Sequence, residues 1–226
     1  MDADPLPSNS IEQLLSQVEV ESFSDNRIAK IKKSPSQLEV IGKGTDAIVF
    51  RHRSEADAVY KVFGTSSLAK LEQEVNAYRL LGDSPFFPKL LGVGEKYLKL
   101  SYEEGPTLYQ CLAEGKIISP HIVEEVDHAI AYARKKGLNP RDIHLKNIIL
   151  QNDHAKLLDI SEYVLPGDDL RWDHIKQGYK LYYPYIQGRR VPVFMIEFVK
   201  NLYFRMKEDL DSFFGKLESW LEKSGF

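Results

Sequence analysis

Arg141-Asp142-Ile143-His144-Leu145-Lys146-Asn147 runs straight into Ile148-Ile149-Leu150, and Ala155-Lys156-Leu157-Leu158-Asp159 follows closely. Polar groups with catalytic potential stand directly before a short apolar run, which reads as a loop entering a strand. The second run, Ala155 to Leu158, reads as another strand and ends on Asp159. A turn between the two strands brings Asn147 and Asp159 near each other. One oxygen from each suits Mg²⁺, which keeps several waters and shares phosphate oxygens. Asp142 is then placed to orient or deprotonate a hydroxyl. The same residues serve equally as plain turn-formers, because Asp and Asn side chains bond their own backbone.

Upstream the pattern is strand-like. Leu38-Glu39-Val40-Ile41, Ala47-Ile48-Val49-Phe50 and Ala58-Val59-Tyr60-Lys61-Val62-Phe63 are short and apolar-rich, separated by Gly42, Gly44 and Asp46, then by Ser54 and Asp57. One helix interrupts. It starts near Ser66 or Ser67, carries Leu71, Val75, Tyr78 and Leu81 at helical spacing, and stops at Gly82 and Asp83. Leu90 to Val93 and Tyr97 to Tyr102 are two further strands. The loop from Gly42 to Ala47 lacks the Lys-Ser/Thr ending and the following helix of a P-loop. It fits a hairpin turn or a backbone that approaches a phosphate closely. Lys61, among apolar neighbours, is either solvated or held by a carboxylate. Glu74 on the next helix is the natural partner; Glu72 would sit on a different side of that helix.

Downstream of Glu103 the pattern turns helical. Ser119-Pro120 opens a helix, since proline is tolerated at the first helical position. Ile122, Val126, Ile130 and Ala133 form its buried stripe, and Gly137 suits the left-handed C-terminal position. A long helix is expected near the end of the chain, with Val199, Tyr203, Met206, Leu210, Phe213, Leu217 and Trp220 alternating spacings of four and three. This stripe is expected to pack on its own half of the molecule, as a monomer; a dimer through this helix is the alternative. His121 and His128 share a helix face, but solvated or packed histidines are expected there rather than metal ligands.

The 226 residues have a net charge of −3, with 43% hydrophobic and 28% charged residues. That balance excludes wholly disordered and collagen-like chains and argues against a general grip on nucleic acid. Cys111 is the single cysteine, so no disulfide framework or cysteine zinc cluster exists within the chain. No stretch reaches the ~18 continuous apolar residues of a membrane span. Met1 to Ser10 has no basic or apolar run, unlike a secretory signal, and the expected location is cytoplasmic.

Taken in order, these residues resemble the protein-kinase-like superfamily. The matching set is Gly42-x-Gly44-x-x-Ala47-x-Val49, Lys61, Glu74, Arg141-Asp142-x-x-x-x-Asn147, and Asp159-Ile160-Ser161 where kinases carry Asp-Phe-Gly. Leu98 to Leu108 resembles the hinge and the start of the next helix. Each motif is weak alone; their order on the expected element types carries the resemblance. It implies an α+β, two-lobed fold: a 1–36 extension with a short helix, a strand-rich N-lobe over 37–102, and a reduced helical C-lobe over 103–226. It implies ATP and Mg²⁺ as cofactors. Gly42, Gly44 and Ala47 would cover the phosphates, with Ile41 beside them. Lys61, held by Glu74, would contact the α- and β-phosphates. Asp142 would act on the substrate hydroxyl, and Asn147 and Asp159 would bind Mg²⁺. Val49 and Val59 would lie over the adenine and Ile149 beneath it, while Ser101 and Glu103 would offer backbone hydrogen bonds.

The departures from the pattern are informative. Ala47 replaces a third glycine, Pro140 the usual histidine before Arg-Asp, and Ile160-Ser161 the Phe-Gly pair. Ile160 is expected to pack inward. His144 resembles aminoglycoside phosphotransferases and other small-molecule kinases, whereas Arg141 is typical of protein kinases. No Ala-Pro-Glu follows Asp159, and Asp173, the candidate anchor for the catalytic loop, comes only 14 residues later. This shortening resembles RIO-type kinases. It leads to an expectation of constitutive activity, with Arg141 neutralised by Glu162, Asp168 or Asp169 in place of a phosphate. The resemblance thus points to a minimal bacterial Hanks-type serine/threonine protein kinase acting on a protein. A small-molecule kinase is the alternative, and a nucleotide-binding pseudokinase regulator the second alternative.

Overall fold

The structure is a computed structural model that describes residues 10–23, 25, 27–167, 170–206 and 209–224. Its centre is an antiparallel five-stranded sheet formed by β3 (Leu38–Lys43), β4 (Ala47–His52), β5 (Ala58–Phe63), β6 (Leu90–Val93) and β7 (Tyr97–Ser101), in the order β3-β4-β5-β7-β6. Side chains alternate across a strand, and β5 uses both faces. Tyr60 and Val62 join one apolar core, whereas Val59 and Phe63 join the other. Lys61 shares the face of Val59 and Phe63.

The outer face is covered by the first part of the chain. Helix α1 (Ile11–Ser16) is started by a reciprocal cap, in which Ser10 Oγ accepts the Gln13 N–H and Gln13 Oε1 accepts the Ser10 N–H. A short hairpin of β1 (Glu19–Glu21) and β2 (Lys30–Lys33) follows. Leu14, Leu15, Val18, Val20 and Ala29 bury themselves there against Leu38, Ile48, Phe50, Tyr60 and Val62. The strand pattern of β1 and β2 is too short and too charged to be read from the sequence.

The inner face carries helix α2 (Leu68–Leu81), stopped by Gly82 at a positive φ of 62°, and the main core continues beneath it. That core includes α3 (Leu108–Glu114), α4 (Pro120–Lys135) and the hairpin of β8 (Ile148–Gln151) and β9 (His154–Leu157). Ile122, Val126, Ile130 and Ala133 are buried, the stripe expected of α4. In the hairpin Ile148 faces Leu157 and Gln151 faces His154, with Asn152 and Asp153 both at positive φ in the turn.

Helices α5 (Arg171–Ile186), α6 (Val193–Met206) and α7 (Leu210–Ser224) complete the chain. The single long helix expected from Val199 through Trp220 is therefore two helices. Asp209 is the reason: its side chain accepts the Ser212 N–H at 3.1 Å and its carbonyl the Phe213 N–H at 3.0 Å, an N-cap inside the periodic stripe. Phe213, Phe214 and Leu217 turn back onto Val199, Leu202, Tyr203 and Met206. This packing covers, within the chain, the face on which a coiled-coil dimer was to be built. Trp220's side chain lies outside the described residues. No helix among the described residues is long and apolar enough to cross a membrane.

The join between the sheet and the helical part is tight. Leu150 N–H donates to Pro106 O at 2.9 Å, and Thr107 bridges to Ile149. A Cβ on Gly105 would lie 2.2 Å from Leu150 O and 2.8 Å from Ile149 Cγ2, and backbone cannot yield cheaply. Gly105→Ala is expected to lower stability in urea unfolding by about 2–3 kcal/mol. Gly178→Ala, in open space on α5, should instead be neutral or stabilising by up to about 1 kcal/mol.

Candidate active site

Three elements converge on one ammonium group. Lys61 from β5 donates from Nζ to Glu74 Oε1 at 2.8 Å and Oε2 at 2.7 Å, and to Asp159 Oδ1 at 3.3 Å. Glu74 is fully buried on the face of α2 that packs on the sheet; Glu72 is not part of the cluster. Asp159 lies two residues past the end of β9, and its side chain remains 39% exposed. The Leu158 N–H donates to Asn147 O at 2.9 Å, so the hairpin brings Asn147 beside Asp159.

The cluster holds one cation against two carboxylates. Burial alone would make the Lys61 ammonium more acidic, but Asp159 and Glu74 reverse this and hold it above its ordinary range. Burial pushes the Glu74 carboxyl up to about 7 despite Lys61, with Asp159's charge adding to the rise. Burial also opposes ionisation of Asp159, but Lys61 and the Ser161 N–H outweigh it and hold that carboxyl below its usual range.

Asp142 sits at φ +55°, a conformation uncommon outside glycine, and Asn147 Nδ2 donates to its carbonyl oxygen at 3.3 Å. Its Oδ1 accepts from Arg171 Nη1 and lies 4.0 Å from His144 Nε2. Burial makes the His144 imidazole harder to protonate. The next segment is stapled down. Arg141 Nε is 3.3 Å from Glu162 Oε2, Arg141 Nη1 donates to Pro166 O, and Asn139 Nδ2 donates to Leu165 O at 2.7 Å. Glu162 thus partners Arg141; Asp168 and Asp169 lie outside the described residues. Ile160 is fully buried, as its apolar side chain demands.

The remaining sequence-derived positions lie on the sheet, its loops, the join and the β8–β9 hairpin. Gly42 and Gly44 lie where β3 turns into β4, and the loop is tied: Gly44 N–H donates to Ala47 O at 2.9 Å. Ala47 is buried, Ile41 exposed and Val49 half-buried. Val59 from β5 and Ile149 from β8 are both buried, 7% and 6% exposed. Ser101 commits its N–H to Lys89 O at 2.9 Å and its hydroxyl to Glu103 Oε1 at 2.6 Å, so the hydrogen bond expected of its backbone narrows to the carbonyl. The Glu103 carboxylate is buried and paired with Lys156 at 2.7 Å.

Two residues differ from expectation. Asp173 does not anchor the catalytic loop: it is exposed on the first turn of α5 and pairs with Lys176 at 3.2 Å. Arg171, two positions earlier, faces the loop instead. Sequence reasoning missed Arg171, because spacing alone does not say which side of a helix's first turn meets a distant loop.

The sheet thus presents a Lys–Glu pair, with Asp159 and Asn147 on the hairpin and Asp142 on the loop before it. A curated Bacillus subtilis (strain 168) protein named "Putative serine/threonine-protein kinase YrzF" is 33% identical over 182 residues, covering 79% of this chain and 85% of that protein. The chain belongs to the protein-kinase-like superfamily. No protein-family model matches it. Among solved structures, a mutant of the Mycobacterium tuberculosis PknI kinase domain aligns with a TM-score of 0.43 and 19% identity. That alignment covers 58% of this chain and 62% of PknI's, less than two thirds of the domain.

The Glu74 carboxyl offers a direct check on the cluster. Its folded value of about 7 lies above the ordinary 4.5, so between those values the folded chain binds more protons than the unfolded one. The stability this contributes is full below about pH 4.5 and is lost as pH rises through about 7. Relative to the native chain, Glu74→Gln should therefore gain roughly 1–3 kcal/mol between about pH 5 and pH 8 in urea unfolding. A difference moving the other way would mean that Lys61, not burial, dominates.

Proposed function

We propose that the chain is an ATP- and Mg²⁺-dependent protein kinase that transfers the γ-phosphate to a serine or threonine hydroxyl. The observation that carries this reading is the Lys61 ammonium shared between buried Glu74 and half-open Asp159, with Asn147 and Asp142 on the adjoining hairpin and loop. In this reading 37–102 is the N-lobe, 103–226 the reduced C-lobe and 1–36 an extension, and the protein works in the cytoplasm.

The donor set suits a hard dication: a carboxylate oxygen from Asp159 and an amide oxygen from Asn147. One cation among two carboxylates is also a charge deficit of the kind a dication relieves. Mg²⁺ held there would neutralise charge on the transferring phosphoryl group. Glu74 fixes Lys61 so that its ammonium can meet phosphate oxygens without reorganising. Gly42, Gly44 and Ala47 shape the phosphate-side loop beside Ile41, and Val49, Val59 and Ile149 offer apolar surface for a base. The Ser101 carbonyl and the Glu103 backbone lie at the join, where hydrogen bonds to that base's edge are expected. Asp142 orients the acceptor hydroxyl and takes its proton; Arg171 must release Oδ1 for this. The staples from Asn139 and Arg141 support activity without loop phosphorylation.

A small-molecule acceptor is the second reading. A cavity of about 690 Å³ opens beside the catalytic loop, bordered by His144, Arg171 and the aromatic Tyr109, Trp172 and Phe204. Its size is that of an ordinary ligand pocket.

Radiolabelled ATP with a protein acceptor, a sugar and aminoglycoside panel, or no acceptor separates these readings. Asp142→Asn is expected to lower transfer by about 100- to 10,000-fold while retaining ATP binding. Lys61→Ala should abolish transfer as well. Full transfer by Asp142→Asn would refute that residue's role. Mass spectrometry after incubation with ATP should find no stoichiometric phosphorylation of 160–170 coupled to a rate increase; finding it would refute constitutive activity.

A further inference from the structure

At the opposite end of the β8–β9 hairpin from Asn147 and Asp159, a second cluster of ligating side chains has formed. His121 and Glu125 are one helical turn apart on α4, and His154 opens β9 just after the tight turn at Asn152 and Asp153. One ligand atom from each lies within 4.8 Å of the other two. Glu125 Oε1 is 2.7 Å from His154 Nδ1 and 3.7 Å from His121 Nε2. The two imidazole rings stand edge to face with centroids 5.9 Å apart. We propose that His121, Glu125 and His154 form a zinc-class transition-metal site that ties the hairpin to α4.

Two imidazoles and one carboxylate are a borderline donor set, suited to Zn²⁺ and poorly suited to Mg²⁺. A tetrahedral zinc centre sets its ligand atoms about 3.3–3.5 Å apart. The His121–Glu125 distance is already close to that, and the His154–Glu125 hydrogen bond must open by about 0.7 Å. Both histidines have room to move, with side chains 49% and 67% exposed. Glu125 is the fixed member: it is only 14% exposed, and its Oε2 accepts the Ala155 N–H at 2.7 Å. That bond leaves Oε1 facing the histidines and acts as the outer-shell support that well-made metal sites carry. The Asp153 carbonyl, 3.1 Å from His121 Nε2, is an oxygen at hand for a fourth position.

The cluster is separate from the phosphotransfer residues. Four residues of β8, about 13 Å of strand, lie between this turn and Asn147. A metal here would hold the hairpin that carries Asp159 without touching substrate. His128, which shares a helix face with His121, is exposed and not part of the cluster.

The test is calorimetric titration of the full chain with ZnCl₂, without nucleotide or Mg²⁺, paired with Co²⁺ titration read by its visible absorption. One metal per chain is expected, with the band of a tetrahedral cobalt centre. His121→Gln and His154→Gln should each weaken binding more than about tenfold, His128→Gln should leave it unchanged, and excess Mg²⁺ should not compete. Both histidines are exposed, so circular dichroism of these variants should match the native chain. No uptake by the native chain, or uptake that survives in the His121→Gln/His154→Gln double variant, would overturn the proposal.

Discussion

The Lys61 ammonium is the point through which the two parts of the molecule are held in register. It lies on the inner face of β5, yet its partners come from α2 and from the end of β9. A buried ion pair contributes little net stability against an apolar replacement, but removing one member strands a charge and costs about 3–5 kcal/mol. Glu74, fully buried among Leu71, Val75, Tyr78 and Leu81, is such a stranded charge in waiting. The cluster therefore acts mainly as a positional constraint. Strand, helix and hairpin must all arrive correctly before its hydrogen bonds close.

Other contacts make that arrival reproducible. The buried Glu103 carboxylate pairs with Lys156 on β9, which links the join to the same hairpin that ends in Asp159. Gly105 lets the join lie against Leu150 with no side chain between. Asn139 and Arg141 hold the chain after Ile160 by its carbonyl oxygens and by Glu162. The segment 161–167 is thereby tethered. The loop that carries Asp142 is bordered by α5, whose Arg171 reaches Asp142.

Much of this was legible where local chemistry and long-range order coincide. A lone lysine in an apolar strand reads as solvated or as held by a carboxylate; helical geometry favours Glu74 over Glu72 as the partner, and the structure closes that pair. The run of Asp142, Asn147 and Asp159 around two short strands specifies a hairpin that gathers its own polar ends. The superfamily resemblance followed from that order and agrees with the fold. Features decided by docking angle were not legible. Asp173 and Arg171 share one helical turn, and only the seating of α5 decides which meets the loop. Asp209 breaks a stripe whose apolar period continues unchanged across the break, so periodicity alone predicted one helix where two pack face to face. His121 and His154 are joined by a tertiary contact between α4 and β9. The β1–β2 hairpin carries more charge than apolar surface, and its burial depends on Val20 and Ala29 finding the outer face of the sheet.

On the proposed reading, the cluster of Lys61, Glu74 and Asp159 is a nucleotide site completed by a divalent cation. Calorimetric titration of ATP into the native chain and into Asp159→Asn, each with and without Mg²⁺, tests it most directly. One ATP per native chain is expected, bound more tightly with Mg²⁺, with loss of that Mg²⁺ dependence in Asp159→Asn. ATP binding indifferent to both Mg²⁺ and Asp159 would contradict it.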